Sequence, residues 1–147
     1  FIDALQRLVV EGRRRELALL YESDRVPRDN LGHLLNWITK GGIIWVRQHE
    51  GLVRASLRRA GSDRQSWTPM RELGRLQVEH ALPIVASLVA ARRSADLDQR
   101  IRFAFQMMYG TLNNMVLIDP GPLSLHDAAT PRLLATAMLR LIDPQAG

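Results

Sequence analysis

Apolar residues recur every three or four positions along most of this chain and nowhere alternate with period two for long. No Asn-Gly or Asp-Gly hairpin turn interrupts them. The pattern predicts helices throughout. A first helix over about Phe1 to Glu22 carries the stripe Leu5, Leu8, Val9, Leu17 and Leu20, with Gly12 weakening its middle. Ser23 to Arg28 is a turn that contains Pro27. A second helix covers about Asp29 to Gln48 and is interrupted at Gly41-Gly42, since a glycine pair bends a helix or admits another backbone. A short third helix, about Leu52 to Arg59, stops at Gly61. The fourth opens at Thr68-Pro69, a cap followed by proline at the first helical position, and runs to about Arg92. Pro83 inside it removes one backbone donor and leaves the Glu79 carbonyl without its helical partner, so a kink is expected there.

The fifth segment, Asp96 to Ile118, is the most informative. Asp96 with Gln99 reads as a capping box. From Phe103 to Ile118 no residue is charged, and apolar side chains go round the whole helical wheel. Phe105, Met108, Leu112 and Met115 lie along one side; Phe103, Met107 and Leu117 lie along another. A surface helix would keep one wet face. This one needs cover on two sides, from its own domain and from an oligomer partner. The run is short for a bilayer and contains Gln106, Asn113 and Asn114, which disfavours a membrane span. Asp119-Pro120-Gly121-Pro122 ends it. Ser124 with Asp127 caps a short turn, and Thr130-Pro131 opens a last helix through about Ile142, with Leu133, Leu134, Ala137, Met138 and Leu141 as its apolar face. Six helical pieces joined by short turns predict an all-α bundle, a single domain over residues 1–147.

Composition narrows the classes. No cysteine is present, which excludes disulfides and thiol catalysis and weakens any structural zinc. With no long apolar run and no leader or lipidation motif, a cytoplasmic protein without membrane contact is expected. The formal charge of +5 comes almost entirely from arginine. Apart from Arg13-Arg14-Arg15 and the pairs Arg58-Arg59 and Arg92-Arg93, those arginines are dispersed, as on a solvated surface rather than a phosphate-binding face. The pairs fall near helix C-terminal ends, where positive charge suits the macrodipole.

Catalytic constellations are hard to find. His49-Glu50 lacks the second histidine of H-E-x-x-H, and His33, His49, His80 and His126 show no metal-ligand spacing. There is no phosphate-cradling glycine loop and no G-x-S-x-G elbow. No enzyme activity, metal or cofactor is expected. What remains is a supply of large side chains for an apolar pocket between helices. The candidate ligand-binding residues are Trp37, Trp45, His49, Trp67, His80, Phe103, Met107 and Asn114. His49 lies one turn beyond Trp45, and His80 lies beside the Glu79 carbonyl. Of the amides Asn113 and Asn114, one lines the cavity and the other pairs across an interface, or both reach nearby carbonyls; the sequence leaves this open.

The layout resembles the C-terminal regulatory domain of TetR-type bacterial transcriptional regulators. The first helix looks like the connector that follows the DNA-binding domain. V-R-Q-H-E-G-L-V-R-A-S-L, Val46 to Leu57, is similar to the family's turn before a short leucine-rich helix. D-L-D-Q-R-I-R-F-A-F-Q-M-M-Y-G-T-L-N-N resembles its penultimate helix, with an aspartate start and a mid-helix glycine, here Gly110; Leu133 to Ile142 resembles the final one. The resemblance implies a homodimer in which the last two long helices of each subunit form a four-helix interface. On this chain that interface would hold Phe105, Met108, Gly110, Leu112, Met115, Leu134 and Met138. It also implies a small hydrophobic effector in the core that shifts the subunit angle. Operator DNA would be read only by a helix-turn-helix domain preceding residue 1, which this sequence does not contain, so Arg13 to Arg15 take no DNA-contacting role. Two other readings stand beside it: a basic helical nucleic-acid-binding module, and a helical enzyme with a dispersed site.

Overall fold

A computed structural model describes residues 1–89 and 95–146. Among these residues the chain is all-α, with six helices: α1 (Ile2–Glu22), α2 (Leu31–Gln48), α3 (Glu50–Ser62), α4 (Thr68–Leu88), α5 (Leu97–Leu117) and α6 (Thr130–Ile142). A 3-10 turn, Arg64–Trp67, joins α3 to α4. The predicted end of the fourth helix at Arg92 and the pair Arg92-Arg93 lie outside the described residues. No described helix is long and apolar enough to cross a membrane.

The helix ends show why each element stops where it does. Asn30 caps α2, its Oδ1 accepting from the His33 N–H at 2.8 Å. Arg28 reaches back over the end of α1 and donates to the Tyr21 carbonyl at 3.1 Å. Arg54 donates to the Val116 carbonyl near the end of α5 at 3.0 Å. Arg100 does the same at the end of α6, donating to the Ile142 carbonyl. In each case a guanidinium satisfies a carbonyl that the helix leaves without a partner and offsets the negative end of its dipole. The expected capping box at Asp96 does not form, because the Asp96 carboxylate pairs with Arg100 one turn on. The Ser124–Asp127 turn does form, with the Ser124 N–H donating to Asp127 Oδ2 at 2.7 Å.

Gly41-Gly42 and Pro83 both fall inside continuous helices. α2 continues through Gly41-Gly42, and a Cβ at either glycine would meet nothing within 4 Å. The glycines therefore leave space rather than bend the helix. α4 likewise continues through Pro83, which sits exposed on its outer side.

Packing centres on α5, which contacts α3, α4, α6 and α2, while α1 lies across α3 and α4 and α2 lies along α6. Ile101, Ala104, Phe105 and Met108 on α5 meet Leu34, Leu35 and Ile38 of α2 and Met138 and Ile142 of α6 in one continuous core. Thr39 ties α2 to α6, its hydroxyl donating to the Pro131 carbonyl at 3.0 Å. Arg59 ties α3 to α1 through a two-pronged pair with Asp3, both contacts at 2.9 Å.

The buried line of α1 shares only Leu17 with the predicted stripe. Gln6, Val10, Arg13, Leu17 and Tyr21 face the core at helical spacing, whereas Leu8 is 70% exposed and Leu5 is also exposed. α6 is 13 residues against 21 for α5, so only one of the last two helices is long. Its buried face is Thr130, Leu134, Ala135, Met138 and Ile142, with Leu133 turned outward.

Candidate functional site

α1 to α5 surround a partly open cavity of about 650 Å3. Its apolar wall comes from residues the core pattern already orients inward. α1 supplies Leu17, α2 supplies Trp45 and Val46, and α3 supplies Val53. Trp67 closes the wall at the 3-10 turn; Met70, Leu73 and Val78 of α4 face Phe105, Met108 and Leu112 of α5. Gly42 contributes bare backbone, which leaves the room that a side chain would fill. The mouth lies between α4 and α5, where the exposed residues Arg71, Arg75, Arg102, Gln106 and Gly110 reach the lining.

The polar lining residues are Arg13, Gln77, Tyr109 and Asn113, with Arg71, Arg75, Arg102 and Gln106 at the mouth. Tyr109 donates its hydroxyl proton to Gln77 Oε1 at 2.7 Å and lies 3.3 Å from the Gly74 carbonyl. Its ring also occupies the space beside Gly74, where a Cβ would come within 3.3 Å of Tyr109 Cε2. Tyr21 sits behind this pair, stacked on His80 with centroids 5.5 Å apart and edge-on to Trp37 at 5.6 Å. Its hydroxyl lies near the Gln77 side chain and in the field of Arg13, but among the described residues it makes no hydrogen bond of good geometry. Arg13 is the unusual member. Its side chain is only 11% exposed, its guanidinium carbon lies 5.8 Å from the Trp45 ring centroid, and among the described residues its one ionic partner is Glu16 at 3.2 Å. That geometry is a cation over an aromatic face.

Burial sets the titration of the two phenols. It pushes Tyr21 up to about 12, against smaller lowering effects of Gln77 and Arg13. Tyr109 is raised as well, mainly by burial and then by the neighbouring Tyr21. A raised folded value means that the unfolded chain releases these protons first. The associated stability is intact below pH 10, the ordinary phenol value, and is lost as pH climbs from there through about 12. Tyrosinate absorbance is therefore expected to appear together with loss of helical circular dichroism on alkaline titration. A phenol that ionises near pH 10 with the fold intact would contradict the burial of these rings.

The structure separates the predicted ligand residues into two groups. Trp45 and Trp67 line the cavity. His49 stands behind Trp45, with ring centroids 4.7 Å apart and its Nδ1 bonded to the Trp45 carbonyl at 2.8 Å. Trp37 and His80 pack on Tyr21. Phe103, Met107 and Asn114 are outside the lining altogether; Phe103 is 56% exposed and Asn114 is exposed too. The predicted interface residues undergo the reverse correction. Phe105, Met108 and Met138 are 0% exposed within a single chain, and Leu112 and Leu134 are also buried. Phe105, Met108 and Leu112 face the cavity and so present nothing to a partner. Gly110 is exposed and Met115 is half-buried. On α5, Phe105, Met108 and Leu112 thus point inward and Phe103 and Asn114 outward, while Gly110 stays on the outer side where the sequence places it.

Arg13, Arg71, Arg75, Gln77 and Arg102 line the cavity without being singled out as pocket residues in the sequence, whereas Asn113 is one of the two amides left open there. For Arg13 a signal existed: it lies on the line Gln6, Val10, Arg13, Leu17, Tyr21, one turn before a buried leucine. Among the described residues no group of three His, Asp or Glu could hold a metal ion.

No family model, curated protein or solved structure matches the chain.

Proposed function

We propose that this chain is the effector-sensing and dimerisation domain of a TetR-type transcriptional repressor, binding a small hydrophobic ligand. The observation that carries the reading is the cavity. The helices leave between them a partly open cavity of about 650 Å3 with a mainly apolar wall. Small-molecule pockets fall at roughly 300–1,000 Å3, with apolar walls and a few convergent polar groups. The cavity has that composition.

The outward side of α5 supports the dimer part of the proposal. Phe103, Gly110, Asn114 and Leu117 are exposed and recur at helical spacing, with the half-buried Met107 between them, uncharged throughout. A second copy of this chain fits such a face better than a charged partner does. Gln106 and Gly110 also reach the cavity lining, so one helix touches ligand on one side and partner on the other. A ligand that prefers one subunit arrangement would then shift the angle between subunits, by no more than its differential affinity. Operator DNA would be read by an N-terminal helix-turn-helix unit joined to α1, not by these residues.

Light scattering across a dilution series tests the reading. A dimer that persists at micromolar concentration is expected, and a monomer at every concentration overturns it. The cavity is tested separately by Gly42→Leu. This change improves helix propensity by up to about 1 kcal/mol and places a side chain in open space on the cavity wall. The variant is expected to be at least as stable as the parent and to lose the thermal shift that a hydrophobic ligand gives the parent.

A further inference from the structure

The cavity wall is not neutral. Among the described residues, arginine is the only charged type in its lining, which contains no aspartate or glutamate. The four arginines differ in how far they are already committed. Arg102 is paired with Asp98 and Glu79, and Arg75 with Glu72. Arg71 makes no ion pair among the described residues and stands at the mouth. Arg13 lies deeper, largely out of water, with Glu16 as its ionic partner. A guanidinium carries five donors in a fixed fork. Glu16 is 55% exposed and takes one of those nitrogens, and a pair with so wet a partner holds weakly and is readily traded. Arg13 therefore keeps most of its donor capacity for another acceptor in a place where water solvates it poorly.

Resting on the ligand-sensing reading above, we propose that the ligand is an amphipathic anion, with an apolar body and a single carboxylate or sulfonate head. The body lies against Trp45, Trp67, Met70 and Phe105, and the head meets the Arg13 guanidinium. A carboxylate or sulfonate presents two coplanar acceptors to the arginine fork, a geometry that an alcohol cannot match and an ammonium opposes. Gln77 and Tyr109 stand nearby as a hydrogen-bonded pair and remain neutral at physiological pH, so they add dipoles without adding negative charge. An amine would bring a second cation beside Arg13 with no carboxylate in the lining to receive it.

Three probes that share one ten-carbon tail separate the head group from the body: decanoate, decanol and decylamine. Calorimetric titration of the whole chain is expected to give decanoate at least about tenfold tighter binding than decanol, with decylamine weakest. Arg13→Met keeps the aliphatic packing of the side chain and should weaken decanoate about tenfold while leaving decanol within about twofold. Arg13→Lys, which keeps the charge but not the fork, should fall between the two. Equal binding of decanoate and decanol to the parent chain overturns the proposal whether or not the Arg13 variants fold. If both then also lose binding in Gly42→Leu, the cavity reading stands and only the anionic head group is wrong. If none of the three probes binds the parent, both readings fall together.

Discussion

Replacing Phe103 with arginine is expected to leave the fold standing and to dissolve the proposed dimer. Phe103 is 56% exposed in the single chain, so a charged side chain there remains in water and the subunit loses little. Surface changes of this kind usually move stability by no more than about 0.5 kcal/mol. In a dimer covering the outer side of α5, the same arginine would be buried without a partner charge. Such a charge typically costs about 3–5 kcal/mol, enough to weaken association by roughly two to four orders of magnitude. Thermal melting should therefore change little at concentrations where the parent is already monomeric, while the dilution series moves from dimer to monomer. Gly110 gives an independent check, because a Cβ there meets nothing within 4 Å. Gly110→Arg should likewise be tolerated by the subunit and rejected by the dimer. If both variants stay dimeric, the partner surface lies elsewhere on the molecule.

Phe105→Ala should do the opposite, although Phe105 is only two residues away. Its side chain is 0% exposed and packs both in the core and against Tyr109, with ring centroids 6.2 Å apart. Truncating a buried phenylalanine costs about 3–5 kcal/mol, which in a domain of this size lowers the melting temperature by on the order of 10 °C. The lost ring also lines the cavity, so the truncation enlarges a space that is already there. A hydrophobic ligand that fills the enlarged space should recover part of the loss, since whatever binds the folded state stabilises it by mass action. Melting curves with and without ligand measure both effects. A Phe105→Ala chain as stable as the parent would mean that α5 is turned differently about its axis.

The contrast between Phe103 and Phe105 shows where reading the sequence succeeds and where it stops. The all-α class and the six helices were legible from apolar periodicity, and the boundaries of α5 and α6 came out within a residue or so. Trp45 and Trp67 were legible as cavity residues because large aromatic side chains between helices have few other places to go. Arg13 was passed over because an arginine triplet on a basic chain reads as solvent-facing. Its burial follows from its place in line with Val10, Leu17 and Tyr21, a line hidden by the nearby exposed leucines Leu5, Leu8 and Leu19. Gly41-Gly42 was read as a break for a similar reason: composition reports what glycine permits, and only the neighbours show that it leaves a space open.

The sequence by itself determined that α5 is a helix with no charge along its last four turns. Which side faces the core was decided only in the tertiary structure. A helix with one apolar stripe orients itself, because turning it exposes that stripe to water. A helix apolar all round gains about as much from burying one side as another, so its rotation is set by the shapes that α3, α4 and α6 offer it. Close packing chose the side bearing Phe105, Met108 and Leu112 for the interior and left Phe103, Gly110 and Leu117 facing out.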